Sequence, residues 1–233
     1  KSPDKPFTTA VIKKLRASDV IIHRKDGEFW EPVCSGVLIG FNFVLTAAHC
    51  VNKDENRLKN YSFTFNFEEI SNDKLSPDRP WGTFGGIVER GTKETLDYAI
   101  VWIQWIGDKR VSQYAKLANR SAVYNDSIVA FHHAGGIPTQ ISFGFVYEES
   151  VTIPGYATKA YFLASVLGAV NTESGKGSSG GGVFATDGCL IGIIVSSPGK
   201  FSLGSAPVLH ATVLDIPKIA RQSVALLPLM MAP

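Results

Sequence analysis

The sequence predicts an all-β chain of two antiparallel β-barrels followed by a C-terminal helix. Three observations predict it. Apolar residues alternate with a period of two, most plainly in Tyr61-Ser62-Phe63-Thr64-Phe65-Asn66-Phe67, where four aromatics fall on one face as they do on a half-buried strand. Turn clusters such as Asp26-Gly27 and Ser76-Pro77-Asp78-Arg79-Pro80 separate many of the strand-like runs, as short antiparallel strands require. A polar, charged stretch poor in β-branched residues, 107–121, divides the chain into two strand-rich halves.

In the first half, expected over 8–106, Val20-Ile21-Ile22 and residues 33–39, 43–46, 61–67 and 98–105 read as strands. Residues 107–121 are the connection. In the second half, over 122–213, residues 128–132, 140–147, 160–166, 182–185, 190–196 and 208–213 read as strands. Asp187-Gly188 between two of them is a two-residue hairpin signal. The convincing helix signal is C-terminal, within 214–233: it starts at Asp215 with Pro217 in the first turn, where a missing N–H costs nothing. Closing each sheet into a barrel removes exposed edges. All 233 residues then form one domain, a size ample for such a core.

Composition excludes several function classes. A net charge of +2 gives no reason to expect nucleic acid. Lys13, Lys14, Arg16, Arg24 and Lys25 make the N-terminal segment locally basic, which reads as a solvated face. No apolar run approaches the roughly 20 residues of a membrane-spanning helix. The apolar tail with Leu226, Leu227, Leu229, Met230 and Met231 is too short to span, and either packs on a barrel or docks a partner. The chain starts at Lys1 rather than Met, the expected mark of a removed leader or pro-segment, or of trimming. His132 and His133 are neighbours on a strand and face opposite sides, so they do not share an ion; His23 and His210 are isolated, and neither metal nor cofactor is expected. Asn60-Tyr61-Ser62, Asn119-Arg120-Ser121 and Asn125-Asp126-Ser127 match the glycosylation sequon, which has meaning in a secreted eukaryotic chain.

The residues that carry chemistry begin with Val44-Leu45-Thr46-Ala47-Ala48-His49-Cys50, an apolar run stopping at a histidine. A strand followed by a small-residue turn can hold one imidazole on a rigid rim, which a general base needs; a core histidine at a helix start would read alike. Downstream lie Leu96-Asp97-Tyr98-Ala99-Ile100-Val101 and Gly177-Ser178-Ser179-Gly180-Gly181-Gly182. A histidine, an aspartate and a glycine-framed serine are the parts of an activated-serine site. Asp108 is the rival aspartate, but it sits in the polar connection rather than beside a buried strand.

Together, in this order and on an all-β background, the three blocks resemble those of chymotrypsin-like serine peptidases, and the resemblance covers most of the chain from Val20 onward. It implies two six-stranded barrels with His49 and Asp97 from the first and Ser179 from the second. It implies a serine endopeptidase acting on protein or peptide substrates through an acyl-enzyme. Ser179 would attack, His49 would take its proton, and Asp97 would fix the tautomer of His49. The N–H groups of Gly177 and Ser179 would form the oxyanion hole.

Cysteines matching Cys34 and Cys50 are bridged in many members of that family. The two bracket a strand, a turn at Gly40-Phe41-Asn42 and a second strand, a connection that brings its ends together. Two reduced thiols are the alternative. A bridge implies a secreted or periplasmic protein; reduced cysteines would suit a cytosolic or host-directed processing protease. Cys189 reads as a small core residue after a hairpin turn.

Ser178 departs from the animal digestive branch of the family, whose aspartate at this place pairs with a newly released N-terminal ammonium. A serine cannot form that ion pair, and no Ile-Val-Gly-Gly-like start appears near Ala10-Val11-Ile12. The chain is closer in pattern to the bacterial-type branch of glutamyl endopeptidases and heat-shock proteases, in residues 131–144 and 181–192. In the family, segments here numbered 170–176 and 193–199 wall the substrate pocket, which makes Glu173, Ser174, Lys176, Val195, Ser196 and Ser197 the candidates. Glu173, six residues before Ser179, would select a basic residue before the scissile bond if buried; otherwise it is an exposed loop glutamate. Val195 and Ser196 stand where glutamate-selecting members use a histidine, which disfavours that specificity. A protease-like binding protein with a closed or repurposed cleft is the reading from another class.

Overall fold

Strands dominate the computed structural model, which describes residues 7–51, 59–67, 80–92, 95–151, 160–167, 177–196, 201–203 and 206–231. The first half contains α1 (Thr9–Arg16), β1 (Asp19–Asp26), β2 (Phe29–Gly40), β3 (Phe43–Thr46), β4 (Tyr61–Phe65), β5 (Gly82–Arg90) and β6 (Ala99–Trp105). These six strands form a closed barrel in the order β1-β2-β3-β6-β5-β4, with β4 returning to pair antiparallel with β1.

The second half contains β7 (Lys116–Leu117), β8 (Ser127–His132), β9 (Gln140–Val151), β10 (Tyr161–Leu167), β11 (Gly182–Ala185), β12 (Cys189–Ser196), β13 (Phe201–Leu203) and β14 (Ala206–Asp215). Strands β14-β10-β9-β8-β11-β12 form the second barrel, closed by β12 pairing back onto β14. Strand β13 pairs antiparallel with the start of β14, and β7 lies parallel to β12 at its margin.

The run of apolar residues in β8 has a direct cause. Ile128 and Ala130 point into one core cluster, whereas Val129 and Phe131 point into the other. A strand buried on both faces needs no polar alternation. Phe131 meets Phe184 edge to face at 5.7 Å, and both join a core that also holds Val37, Leu45 and Phe63 of the first barrel. The barrels therefore share apolar core as well as a seam of hydrogen bonds. At that seam Ala115 N–H donates to Leu38 O (2.8 Å), and Thr139 N–H donates to Phe67 O (2.8 Å).

Helix α1 and strands β5, β7 and β13 are elements the sequence did not announce. Helix α1 forms at the N-terminus because Thr8 Oγ1 accepts from Val11 N–H (3.3 Å), a side-chain N-cap, while Leu15 is buried against the fold. Strand β5 carries glycines that blur its alternation, one of which makes room for a neighbour: a Cβ on Gly85 would lie 2.5 Å from the Trp102 ring. Short β7 falls inside the stretch expected to be a mere connection.

Asp215 is the residue before α2 (Ile216–Ala220), with Pro217 in its first turn. The chain then returns to the first barrel as α3 (Leu226–Met231). Glu89 on β5 accepts from Ser223 Oγ (2.9 Å) and Ala225 N–H (3.1 Å), and Ser223 Oγ in turn accepts from Leu226 N–H (2.9 Å). Leu226 is fully buried. The beginning of the apolar tail thus packs on the chain's own barrel. No described helix is long and apolar enough to cross a membrane.

Candidate active site

The apolar run before His49 becomes β3 and a single 3-10 turn, Ala48–Cys50. Val44, Leu45, Ala47 and Ala48 are buried, which leaves the His49 side chain as the part of this corner that reaches solvent, 30% exposed. Asp97 lies just before β6 and is fully buried. Antiparallel pairing of β3 with β6, Thr46 opposite Ala99, brings the two residues together across 48 positions of sequence.

Their contact is double. Asp97 Oδ1 accepts the backbone N–H of His49 at 3.0 Å, and Oδ2 lies 2.7 Å from His49 Nδ1. A carboxylate only accepts, so Nδ1 carries the ring proton and the opposite nitrogen keeps its lone pair. Arg90 braces the same turn: its Nε and Nη2 donate to Ala48 O at 3.2 and 2.8 Å.

Ser179 sits on the loop before β11, between glycines at positive φ: Gly177 at 95° and Gly180 at 87°. The space at Gly180 admits no side chain, because a Cβ would lie 2.0 Å from Ser35 O. Backbone bonds from both barrels hold this loop. Ser35 N–H of β2 donates to Ser179 O (2.8 Å), and Gly180 N–H donates to Ile194 O of β12 (2.6 Å). Ser35 Oγ also donates to Gly177 O at 2.6 Å.

His49, Ser179 and Gly177 line one cleft of about 640 Å³, together with Cys34, Cys50 and Arg90. Cys34 and Cys50 form a disulfide with Cα atoms 5.9 Å apart. Cys50 Sγ rests 3.7 Å from Ser179 O; a bridged sulfur has no proton to donate, so this is a packing contact. Both sulfurs and a ring nitrogen of His49 lie within 4.8 Å of one another. Bridged sulfurs are not thiolates, so the trio is a brace rather than a ligand set.

The remaining expected residues fall elsewhere. Glu173, Ser174, Lys176 and Ser197 lie outside the described residues, and so does the Ser196 side chain. Val195 is buried in the core. Cys189 is half-buried after the 186–188 turn, and burial raises its thiol pKa. Behind the loop lies a second, buried polar cluster: His132 contacts Ser178 and Ser142, and His133 pairs with Asp19 at 2.9 Å and acts electrostatically on His23, which the sequence had suggested to be isolated. Its members come from β1, β8, the turn after β8, β9 and the Ser179 loop, so no local motif announces them. A histidine pair at the end of an apolar strand was the one available signal.

Residues 34–193 match the family described as the trypsin-like peptidase domain. Two solved structures share the fold across the whole chain. The Rv3671c protease in its inactive form is 18% identical, with a TM-score of 0.63, covering 100% of this chain and 98% of that one. A serine-to-alanine variant of Rv3671c from M. tuberculosis, also in the inactive form, is 17% identical with a TM-score of 0.62 and the same coverage. No curated protein matches the chain.

Proposed function

This chain belongs to the trypsin-like peptidase domain family, and on that premise we propose that it is a serine endopeptidase with Ser179 as nucleophile. The observation that carries the reading is the double hydrogen bond from His49 to buried Asp97 at the edge of the cleft that Ser179 lines. His49 takes the Ser179 proton as the hydroxyl attacks a peptide carbonyl. Asp97 stabilises the imidazolium that results. The backbone N–H groups of Gly177 and Ser179 face the oxyanion, a donor pair whose members are each worth about 2.7–4 kcal/mol in the transition state. Collapse of the tetrahedral species returns the proton from His49 to the leaving amine and leaves an acyl-Ser179, which water hydrolyses.

The finer features are part of the same proposal. The enzyme belongs to the bacterial-type branch, prefers a basic residue before the scissile bond through Glu173, and works in a secreted or periplasmic setting. The Cys34–Cys50 bridge supports an oxidising compartment. Docking of a partner through the apolar C-terminal tail completes the proposal.

Labelling with a fluorophosphonate tests the nucleophile. Wild type should label and Ser179→Ala should not; absence of labelling in folded wild type would favour a protease-like binding protein. A peptide library tests specificity, where equal cleavage after Arg and Leu would sink the basic preference.

A further inference from the structure

The Ser179 loop is held through the carbonyls of Gly177 and Ser179, through the Gly180 N–H on Ile194 O, and through one of its own side chains. The carbonyls of Gly177 and Ser179 are held from the first barrel by Ser35, whose Oγ also accepts the His133 N–H at 2.9 Å. The side chain in question is that of Ser178. Its Oγ lies 3.1 Å from His132 Nδ1, and His132 Nε2 lies 2.9 Å from Ser142 Oγ. All three residues are buried, His132 at 1% exposed.

A row of three polar side chains in this place is not what folding alone asks for. Residues 128–131 of β8 are apolar and pack into two cores, and an apolar residue would fill the space without needing hydrogen-bond partners. The row ends on the residue beside the nucleophile. Ser178 O accepts from Gly181 N–H at 3.0 Å. In a planar trans peptide the N–H points opposite to the C=O, so the Ser179 N–H is turned away from Gly181. The orientation of that peptide plane decides where the proposed oxyanion donor aims.

We propose that His132 is a positioning residue: anchored on Ser142, it holds Ser178 and so fixes the Ser178–Ser179 peptide plane. This rests on the peptidase reading given above. Burial lowers the His132 pKa to about 4, against the opposing pull of Asp19, so at neutral pH the ring is uncharged. A neutral imidazole has one donor and one acceptor, and a hydroxyl serves as either. The tether therefore balances with no formal charge at Ser178, where the digestive branch uses a carboxylate and an ammonium.

Four variants separate this role from simple core packing. In His132→Asn the amide reaches the place of Nδ1, and hence Ser178. In His132→Gln it reaches the place of Nε2, and hence Ser142. Ser178→Ala and Ser142→Ala remove either end. Each is compared by kcat and KM on a fluorogenic peptide, normalised to active sites counted by fluorophosphonate titration, so misfolded molecules do not enter the rate. Ser178→Ala and His132→Gln should lower kcat by about 10–100-fold, the cost of a small misplacement of reacting groups, with KM within about twofold. His132→Asn should restore most of the rate, and Ser178→Ala combined with His132→Gln should be no worse than either alone. Unchanged kcat per titrated site in Ser178→Ala, or equal losses in the Asn and Gln variants, would overturn the proposal. Wild type that neither labels nor cleaves would overturn the peptidase reading instead.

Discussion

Replacing Asp97 by Asn keeps the shape of the side chain and removes its charge, and the local geometry dictates what happens next. Oδ1 receives the backbone N–H of His49 at 3.0 Å, a donor that cannot reverse. The amide oxygen must therefore stay at that position, which turns its NH₂ group toward His49 Nδ1, now 2.7 Å from Oδ2. Facing a donor, Nδ1 has to accept, and the ring proton moves to the opposite nitrogen. That nitrogen can then no longer take the Ser179 proton. Recovering the working tautomer sets two donors against each other in a buried site, and trypsin-type triads respond to this change with a fall in kcat of about 10⁴, equal to roughly 5.5 kcal/mol of barrier. The assay is kcat and kcat/KM on a fluorogenic peptide, with fluorophosphonate labelling rates and thermal unfolding in parallel. Labelling should slow by a comparable factor, while the unfolding temperature changes little because volume and most packing are conserved. A kcat within tenfold of wild type in a folded D97N variant would refute the assignment of Asp97, and with it the reasoning from the pinned amide.

Two further expectations concern stability. Removing the bridge in a Cys34→Ala, Cys50→Ala double variant opens a loop of sequence separation 16 and should cost about 3 kcal/mol in the chain-entropy estimate; differential scanning calorimetry should register it as a fall of roughly 6–12 °C, and an unchanged midpoint would count against the bridge as a brace. Burial pulls His23 and His132 from 6.5 to about 4, with His133 lowering both further and Asp19 opposing the shift at His132. Their neutral forms are favoured in the folded state, so this contribution is complete above pH 6.5 and is lost as pH falls toward 4, by about 3 kcal/mol per ring. Urea midpoints measured from pH 7 to pH 4 should drop accordingly, with a smaller drop in His23→Gln; an equal drop in that variant would exclude His23 as a source.

Local and long-range information divide at particular residues. The run ending at His49 was legible because a strand alternates and a small-residue turn interrupts it, both local rules. Asp187-Gly188 announced a hairpin, but the connection spans three residues, 186–188, with Gly188 at φ 78°, where two were expected. Strand β5 was missed because Gly82, Gly85 and Gly86 erase its pattern, and the reason for one of them, the Trp102 ring, lies on another strand. Helix α1 was missed because its apolar face, Val11, Ile12 and Leu15, spans only eight residues, about two turns, too short to stand out from the strand-rich sequence.

The amino-acid sequence alone determined the fold class, the pairing of Cys34 with Cys50 as a family expectation, and which histidine, aspartate and serine were the candidates. Periodicity, turn chemistry and short motifs are written in neighbouring residues; the cysteine pairing came from the family resemblance, with reduced thiols as the alternative until the structure showed the bridge. Only the tertiary structure decided how the Ser179 loop is held. Ser35 reaches Gly177 across 142 positions, and Ser178 reaches His132 across 46. Contacts of that range exist only after both barrels have closed, and a hydroxyl or imidazole in a sequence does not say which distant partner closure will bring to it.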